Sequence, residues 1–192
     1  MYSIEPQTTS ALQAFDQKRA ESNETWNISQ ETGIFLHTLI QIHQSNTILE
    51  IGTSTGYSGT YLADAAKKTG GHVYTVESHD ERFTQATAFF QKAGVSEVIT
   101  QIKGHAPEVF TELNIQVDFV FLDATKYEHI SYVQALLPLL NPNAVIITDN
   151  ILSHKEEMQE FVEFMDECGE FENSVVNIGT GLLISLKLKS KN

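Results

Sequence analysis

Cysteine is almost missing from this chain: Cys168 stands alone among 192 residues. One thiol can form neither an internal disulfide nor a thiolate-rich zinc site, which suits a reducing compartment and points to the cytoplasm. No triad partners surround Cys168, so it reads as structural. Proline and glycine are sparse, at 4 and 11, which disfavours disordered and collagen-like chains. Basic residues are also few. Twelve Lys and Arg face 25 Asp and Glu, a formal net charge of −13. A chain of that sign repels phosphate backbones and anionic membranes at long range, and it lacks the basic face of a duplex binder. Residues 1–19 hold no basic segment followed by an apolar one, so no secretory leader is expected. The uncharged stretch 130–148 is broken by Pro138, Asn141, Pro142 and Asn143, and reads as helix end, turn and strand rather than a membrane span. No H-x-x-x-H pair, Walker A loop or G-x-S-x-G elbow occurs.

What is present is a 41% apolar chain of one-domain length, expected to fold as a single unit over 1–192. Ile34, Phe35, Leu39 and Ile42 recur at helical spacing, which predicts a helix over 31–41. A short apolar run at 47–51 stops at Gly52 and predicts a buried strand followed by a glycine loop. Helices are expected at 57–68, 82–93, 129–137 and 155–167. Further strands are expected at 72–76, 99–102, 117–122 and 144–148. The tail shows two alternating segments, 174–178 and 182–188, split by Gly179-Thr180-Gly181, a hairpin pattern. Strands alternating with helices predict an α/β fold: a mainly parallel sheet with helices on both faces and an antiparallel hairpin at one edge. Ligands of such sheets sit beyond the C-terminal strand ends.

Acidic residues stand at those ends. Glu50 closes the first strand before the loop Gly52-Thr53-Ser54-Thr55-Gly56, whose glycines permit a sharp turn and close approach of a ligand. Its G-x-x-x-G spacing is not a dinucleotide fingerprint. Glu77 ends the second strand, where a carboxylate can accept both hydroxyls of a ribose. The cofactor could be a dinucleotide or S-adenosylmethionine. The latter carries no phosphate and needs no phosphate-cradling glycines. Asp123, Asp149 and Asn150 close two strands that can be neighbours. Two carboxylates and an amide oxygen are hard ligands, suited to Mg²⁺, Ca²⁺ or Mn²⁺. The bland alternative makes both aspartates loop caps. Lys126 can reach the same pocket as a general base, or it is a surface lysine paired with Glu128. His37 and His43 read as surface or packing residues. His105 and His129 read as solvated loop residues or ligand contacts.

Together these segments resemble the cation-dependent O-methyltransferases, the group of catechol and caffeoyl-coenzyme A O-methyltransferases. The matching stretches are 48–58, 73–77, 104–106, 121–126, 147–152 and 179–182, and the resemblance spans about 31–188. It implies a Rossmann-like class I methyltransferase fold using S-adenosyl-L-methionine and a divalent cation, magnesium foremost. Carried over by position, Glu50, Gly52 and Ser58 would line the methionine part of the cofactor, with Thr53 a further cofactor contact. Glu77 would hold the ribose, the Ala106 backbone the adenine, and Ile28 and Asp123 would complete the contacts. Asp123, Asp149 and Asn150 would bind the metal, with Lys126 as base. The implied substrate is a small hydroxylated aromatic with vicinal hydroxyls, and the implied assembly a homodimer. Tyr132 matches the family. Thr125 and Thr180 stand where Asp is common, and Ser153-His154-Lys155 where Trp and Gly often occur. Two other readings stay open. One is an NAD-dependent oxidoreductase. The other is a tRNA nucleoside O-methyltransferase using a patch of Lys67, Lys68, Lys187, Lys189 and Lys191.

Overall fold

The computed structural model describes residues 4–22 and 27–189; residues 1–3 of the N-terminal stretch and Lys191 lie outside them. Among the described residues, seven strands form one sheet: β1 Thr47–Ile51, β2 His72–Glu77, β3 Ile99–Lys103, β4 Val117–Leu122, β5 Leu140–Thr148, β6 Phe171–Val176 and β7 Leu182–Lys187. Their order across the sheet is β3-β2-β1-β4-β5-β7-β6. β1 to β5 are parallel, and β7 runs antiparallel between β5 and β6. The helices are α1 Pro6–Ser22, α2 Gln30–His43, α3 Tyr57–Thr69, α4 Asp80–Ala93, α5 His129–Leu136 and α6 Lys155–Glu167.

The near-continuous apolar strands follow from a sheet covered on both faces. Side chains alternate along each strand. Ile48, Phe119, Phe121 and Ile147 enter a core shared with α1 to α4. Leu49, Val120, Leu122 and Ile146 enter a second core with α5 and α6. The same alternation sends Glu50 toward α3. Ser29 caps α2 by accepting the Thr32 N–H at 3.1 Å, so this helix starts close to its expected position.

Differences from expectation are local. The sequence pattern gives no sign of α1, because few of its side chains reach the core: Ala11, Leu12, the half-buried Phe15, and Thr8, whose hydroxyl donates to the Ala93 carbonyl at 3.1 Å. β5 begins four residues before the expected 144, and its pairing with β4 shifts register between Val117 and Phe119. β6 begins at Phe171, not 174, and Phe171 pairs with Lys187. An edge strand can carry polar residues such as Glu172 and Ser174 on its open face, which hides its start.

Candidate active site

β1 and β4 are neighbours, yet the chain leaves them toward opposite edges of the sheet. Such a switch opens a crevice at the strand ends. Gly52 sits there at φ +103°, and a Cβ on it would lie 2.2 Å from the Asp123 backbone oxygen. A Cβ on Gly56, at φ +89°, would come 2.9 Å from the Phe90 ring. Both glycines are also packed closely by the protein itself: by the loop after β4 at Gly52 and by a ring of α4 at Gly56. The Gly52 and Thr53 N–H groups both donate to the Val76 carbonyl at 3.1 Å.

A cavity of about 320 Å³ opens above this point. Ile28, Gly52, Ser58, Glu77, Ala106, Asp123 and Lys126, all anticipated, line it. Glu50 and Thr53 do not. Glu50 is fully buried behind the wall, where Ser58 Oγ donates to its Oε1 and Thr75 Oγ1 to its Oε2, each at 2.5 Å. Burial pushes its carboxyl up to about 7; the two hydroxyls pull it down, and the charges of Asp123 and Glu77 push it up. Thr53 Oγ1 lies 2.5 Å from Thr75 Oγ1 in the same chain of hydroxyls. Glu50 thus orients Ser58, and Ser58 faces the cavity.

Glu77 ends β2 with little exposure. Its Oε2 accepts the Ser54 N–H and its Oε1 the His79 N–H, each at 2.8 Å. Each carboxylate oxygen keeps a lone pair for a ligand hydroxyl.

The ends of β4 and β5 are held side by side: Leu122 pairs with Thr148, and the Asp149 N–H donates to the Leu122 carbonyl at 3.1 Å. Asp123, Asp149 and Asn150 come together. Asn150 Nδ2 donates to Asp123 Oδ1 at 2.8 Å, and the Asn150 N–H to Asp149 Oδ1 at 2.7 Å. Thr180 Oγ1 also donates to Asp149 Oδ1. Burial and the charge of Asp149 push Asp123 up to about 7, against the pull of Lys126 and Asn150. Burial also raises Asp149, with Thr180, the Asn150 N–H, Lys126 and His154 pulling it back. Two carboxyls are thus crowded together, against the pull of Lys126 on both and of His154 on Asp149.

That crowding, and an all-oxygen donor set, fit a divalent cation. Among the described residues no group of three or more His, Cys, Asp or Glu gathers to hold a metal, so the set rests on two carboxylates and one amide. Turning over the Asn150 amide would present Oδ1 where Nδ2 now stands. Asn150 sits at φ +71°, a left-handed conformation Asn tolerates.

Asn27 and Arg82, which no motif singles out, also line the cavity. Asn27 is tied to the glycine loop, its Oδ1 accepting from Thr55 Oγ1 at 3.2 Å. His105 and Tyr132 line the cavity too. His129 is not the solvated or ligand-facing residue expected. It is buried, with Nδ1 3.0 Å from the Thr125 carbonyl and its ring edge-on to Phe161. Burial pushes it down to about 4. His37 is a packing residue, Nε2 lying 2.9 Å from Asp64 Oδ2. Lys67, Lys68 and Lys187 pair with Glu97, Asp64 and Glu170, so three lysines of the proposed RNA patch are already engaged. No helix among the described residues is long and apolar enough to cross a membrane.

A mainly parallel sheet with a polar crevice at its switch point, an acidic residue at the end of β2 and a carboxylate pair beside a lysine is an arrangement able to receive a nucleoside cofactor. The pattern of the O-methyltransferase family matches residues 3–188. The chain belongs to that family, the one its motifs resemble. It is 27% identical to a flavonoid 3',5'-methyltransferase of Vitis vinifera over 95% of this chain and 89% of the relative. It is 30% identical to a catechol O-methyltransferase of Niastella koreensis, over 70% of this chain and 62% of that one. An O-methyltransferase from Bacillus cereus, solved in complex with SAH, superposes with TM-score 0.83 at 26% identity, covering 93% of this chain and 90% of the other. The Rossmann-like methyltransferase fold is therefore the observed fold.

Proposed function

We propose that this enzyme transfers the methyl group of S-adenosylmethionine to one hydroxyl of a small aromatic bearing two adjacent hydroxyls, with the help of a divalent cation. The observation that carries this reading is the pairing of Asp123 and Asp149 beside Lys126 at the end of a cavity lined by Glu77 and Ser58. Support for the cofactor comes from the Bacillus cereus relative solved with SAH and from an O-methyltransferase of Streptomyces achromogenes solved with SAM, TM-score 0.83 at 25% identity over 98% of this chain and 92% of that one. Support for the acceptor comes from the flavonoid and catechol relatives.

Glu77 would accept the ribose hydroxyls, and Ser58, oriented by Glu50, would bind the methionine portion. Asp123, Asp149 and Asn150 would hold the cation, Mg²⁺ first and Mn²⁺ or Ca²⁺ as alternatives, which when bound supplies Lewis-acid stabilisation to an ionised hydroxyl. Lys126 Nζ takes the proton of the reacting hydroxyl. When bound, S-adenosylmethionine would supply an electrophilic methyl group, which would pass to the acceptor oxygen as its bond to sulfur breaks. Opposite charges cancel along that path, so the residues around the crevice serve chiefly to align the partners and exclude water. The test is methyl transfer across a panel of catechols and monophenols, with and without chelator. Turnover on catechols that stops in chelator and returns with Mg²⁺ supports the proposal. Equal turnover on monophenols in excess chelator would overturn it.

A further inference from the structure

His105, Glu128 and Tyr132 form a chain of ionisable groups at the cavity that the chemistry above does not use. His105 follows β3, whereas Glu128 belongs to the turn Lys126–Glu128 and Tyr132 to α5, both after β4. β2 and β1 lie between β3 and β4 in the sheet, so no strand pairing ties these two loops together. The side chains do. His105 Nε2 lies 3.3 Å from Glu128 Oε2, and the Tyr132 hydroxyl donates to the same oxygen at 2.6 Å. The Glu128 N–H is anchored on the Thr125 carbonyl at 3.1 Å, within the segment that carries Lys126. His105 and Tyr132 both line the cavity, together with Glu77 and Ala106.

We propose that Glu128 and His105 clasp the loop after β3 to the loop after β4 across the cavity, as positioning residues that hold the cofactor's adenosine end. The proposal rests on the S-adenosylmethionine reading. The groups facing His105 are Glu108, whose Oε2 lies 3.0 Å from Nδ1, and Glu128, which also accepts from Tyr132. The hydrogen bond to Glu108 and the charges of Glu128 and Glu108 raise the His105 pKa above its ordinary value. A raised histidine is charged below that value and neutral above it. The clasp is therefore reinforced by charge at low pH and weakened as pH rises through the raised pKa.

Calorimetric titration of S-adenosylhomocysteine into the full chain at pH 6 and pH 9 tests this, with melting temperatures recorded alongside. Wild type should bind more tightly at pH 6. Glu128→Gln, which keeps an acceptor for Tyr132 but loses the charge, should shrink that pH step to what the other titrating groups at the cavity contribute. Glu128→Ala should weaken binding at pH 6 by about tenfold. In Glu108→Gln the step should persist, displaced to lower pH. Unchanged affinity in Glu128→Ala, with or without a lowered melting temperature, would sink the clasp, as would a pH step in Glu128→Gln as large as in wild type. Wild-type protein that binds no S-adenosylhomocysteine at either pH would instead sink the cofactor reading, and the clasp with it.

Discussion

Asp64 on α3 receives three donors: His37 Nε2 of α2 at 2.9 Å, the Glu5 N–H just before α1 at 3.0 Å and Lys68 Nζ, one turn along α3, at 3.2 Å. Burial pushes its pKa up, but these partners more than reverse that and hold it below the ordinary carboxylate value. Asp118, at the start of β4, is treated alike by the Asn46 and Thr47 N–H groups and by Asn141 Nδ2. Asp123, one residue past the other end of β4, is left facing a second carboxylate and is pushed up to about 7. The difference teaches where this chain spends its carboxylates. Those away from the crevice are satisfied internally and stabilise the fold. The pair at the strand ends is crowded together instead, its carboxyls raised by burial and by each other's charge, as the proposed cation site requires.

Substitutions at the two places should separate these roles. The largest effect is expected from Asp123→Ala, which should cut methyl transfer by roughly a thousandfold or more while leaving the circular dichroism spectrum and melting temperature near wild type. Asp64→Ala should do the reverse. It removes the buried carboxylate that His37 Nε2, the Glu5 N–H and Lys68 Nζ share and should destabilise the fold by about 3–5 kcal/mol in denaturant titrations, with activity per folded molecule preserved. Next comes Glu50. Its folded pKa of about 7 lies above the ordinary 4.5, so the folded state retains a proton that the unfolded chain gives up. Stability should fall as pH rises from 4.5 toward 7, by about 3 kcal/mol from this group. Glu50→Gln should flatten that slope in unfolding midpoints measured at pH 5 and pH 8. The smallest effect is expected at the sheet edge, where Lys187 and the half-exposed Glu170 pair at 2.9 Å. Lys187→Ala should cost less than about 1 kcal/mol in the same titration.

Much of this arrangement is legible in the sequence, for a physical reason. Strands buried on both faces read as apolar runs, and a parallel sheet puts its site where those runs end, so Glu77, Asp123, Asp149 and Asn150 can be picked out from position alone. Glu50 marks a limit. Its place at a strand end is readable, but its side faces α3 because of pleat alternation, and it reaches the cavity only through Ser58. α1 escapes a periodicity reading because it buries so few apolar side chains. The link between His105 and Glu128 is invisible along the chain: it depends on strand order and on loops that meet above two intervening strands.

The claim that the strand-end carboxylates form a cation site is tested most directly by titrating Mg²⁺ into the protein, with S-adenosylhomocysteine present, at pH 6 and pH 8. Because Asp123 and Asp149 are both raised, a cation that needs them ionised must displace protons. Saturable binding that tightens from pH 6 to pH 8, releases protons at pH 6 and vanishes in Asp123→Asn is the predicted result. Equal Mg²⁺ affinity in wild type and Asp123→Asn, with no proton release, would contradict it.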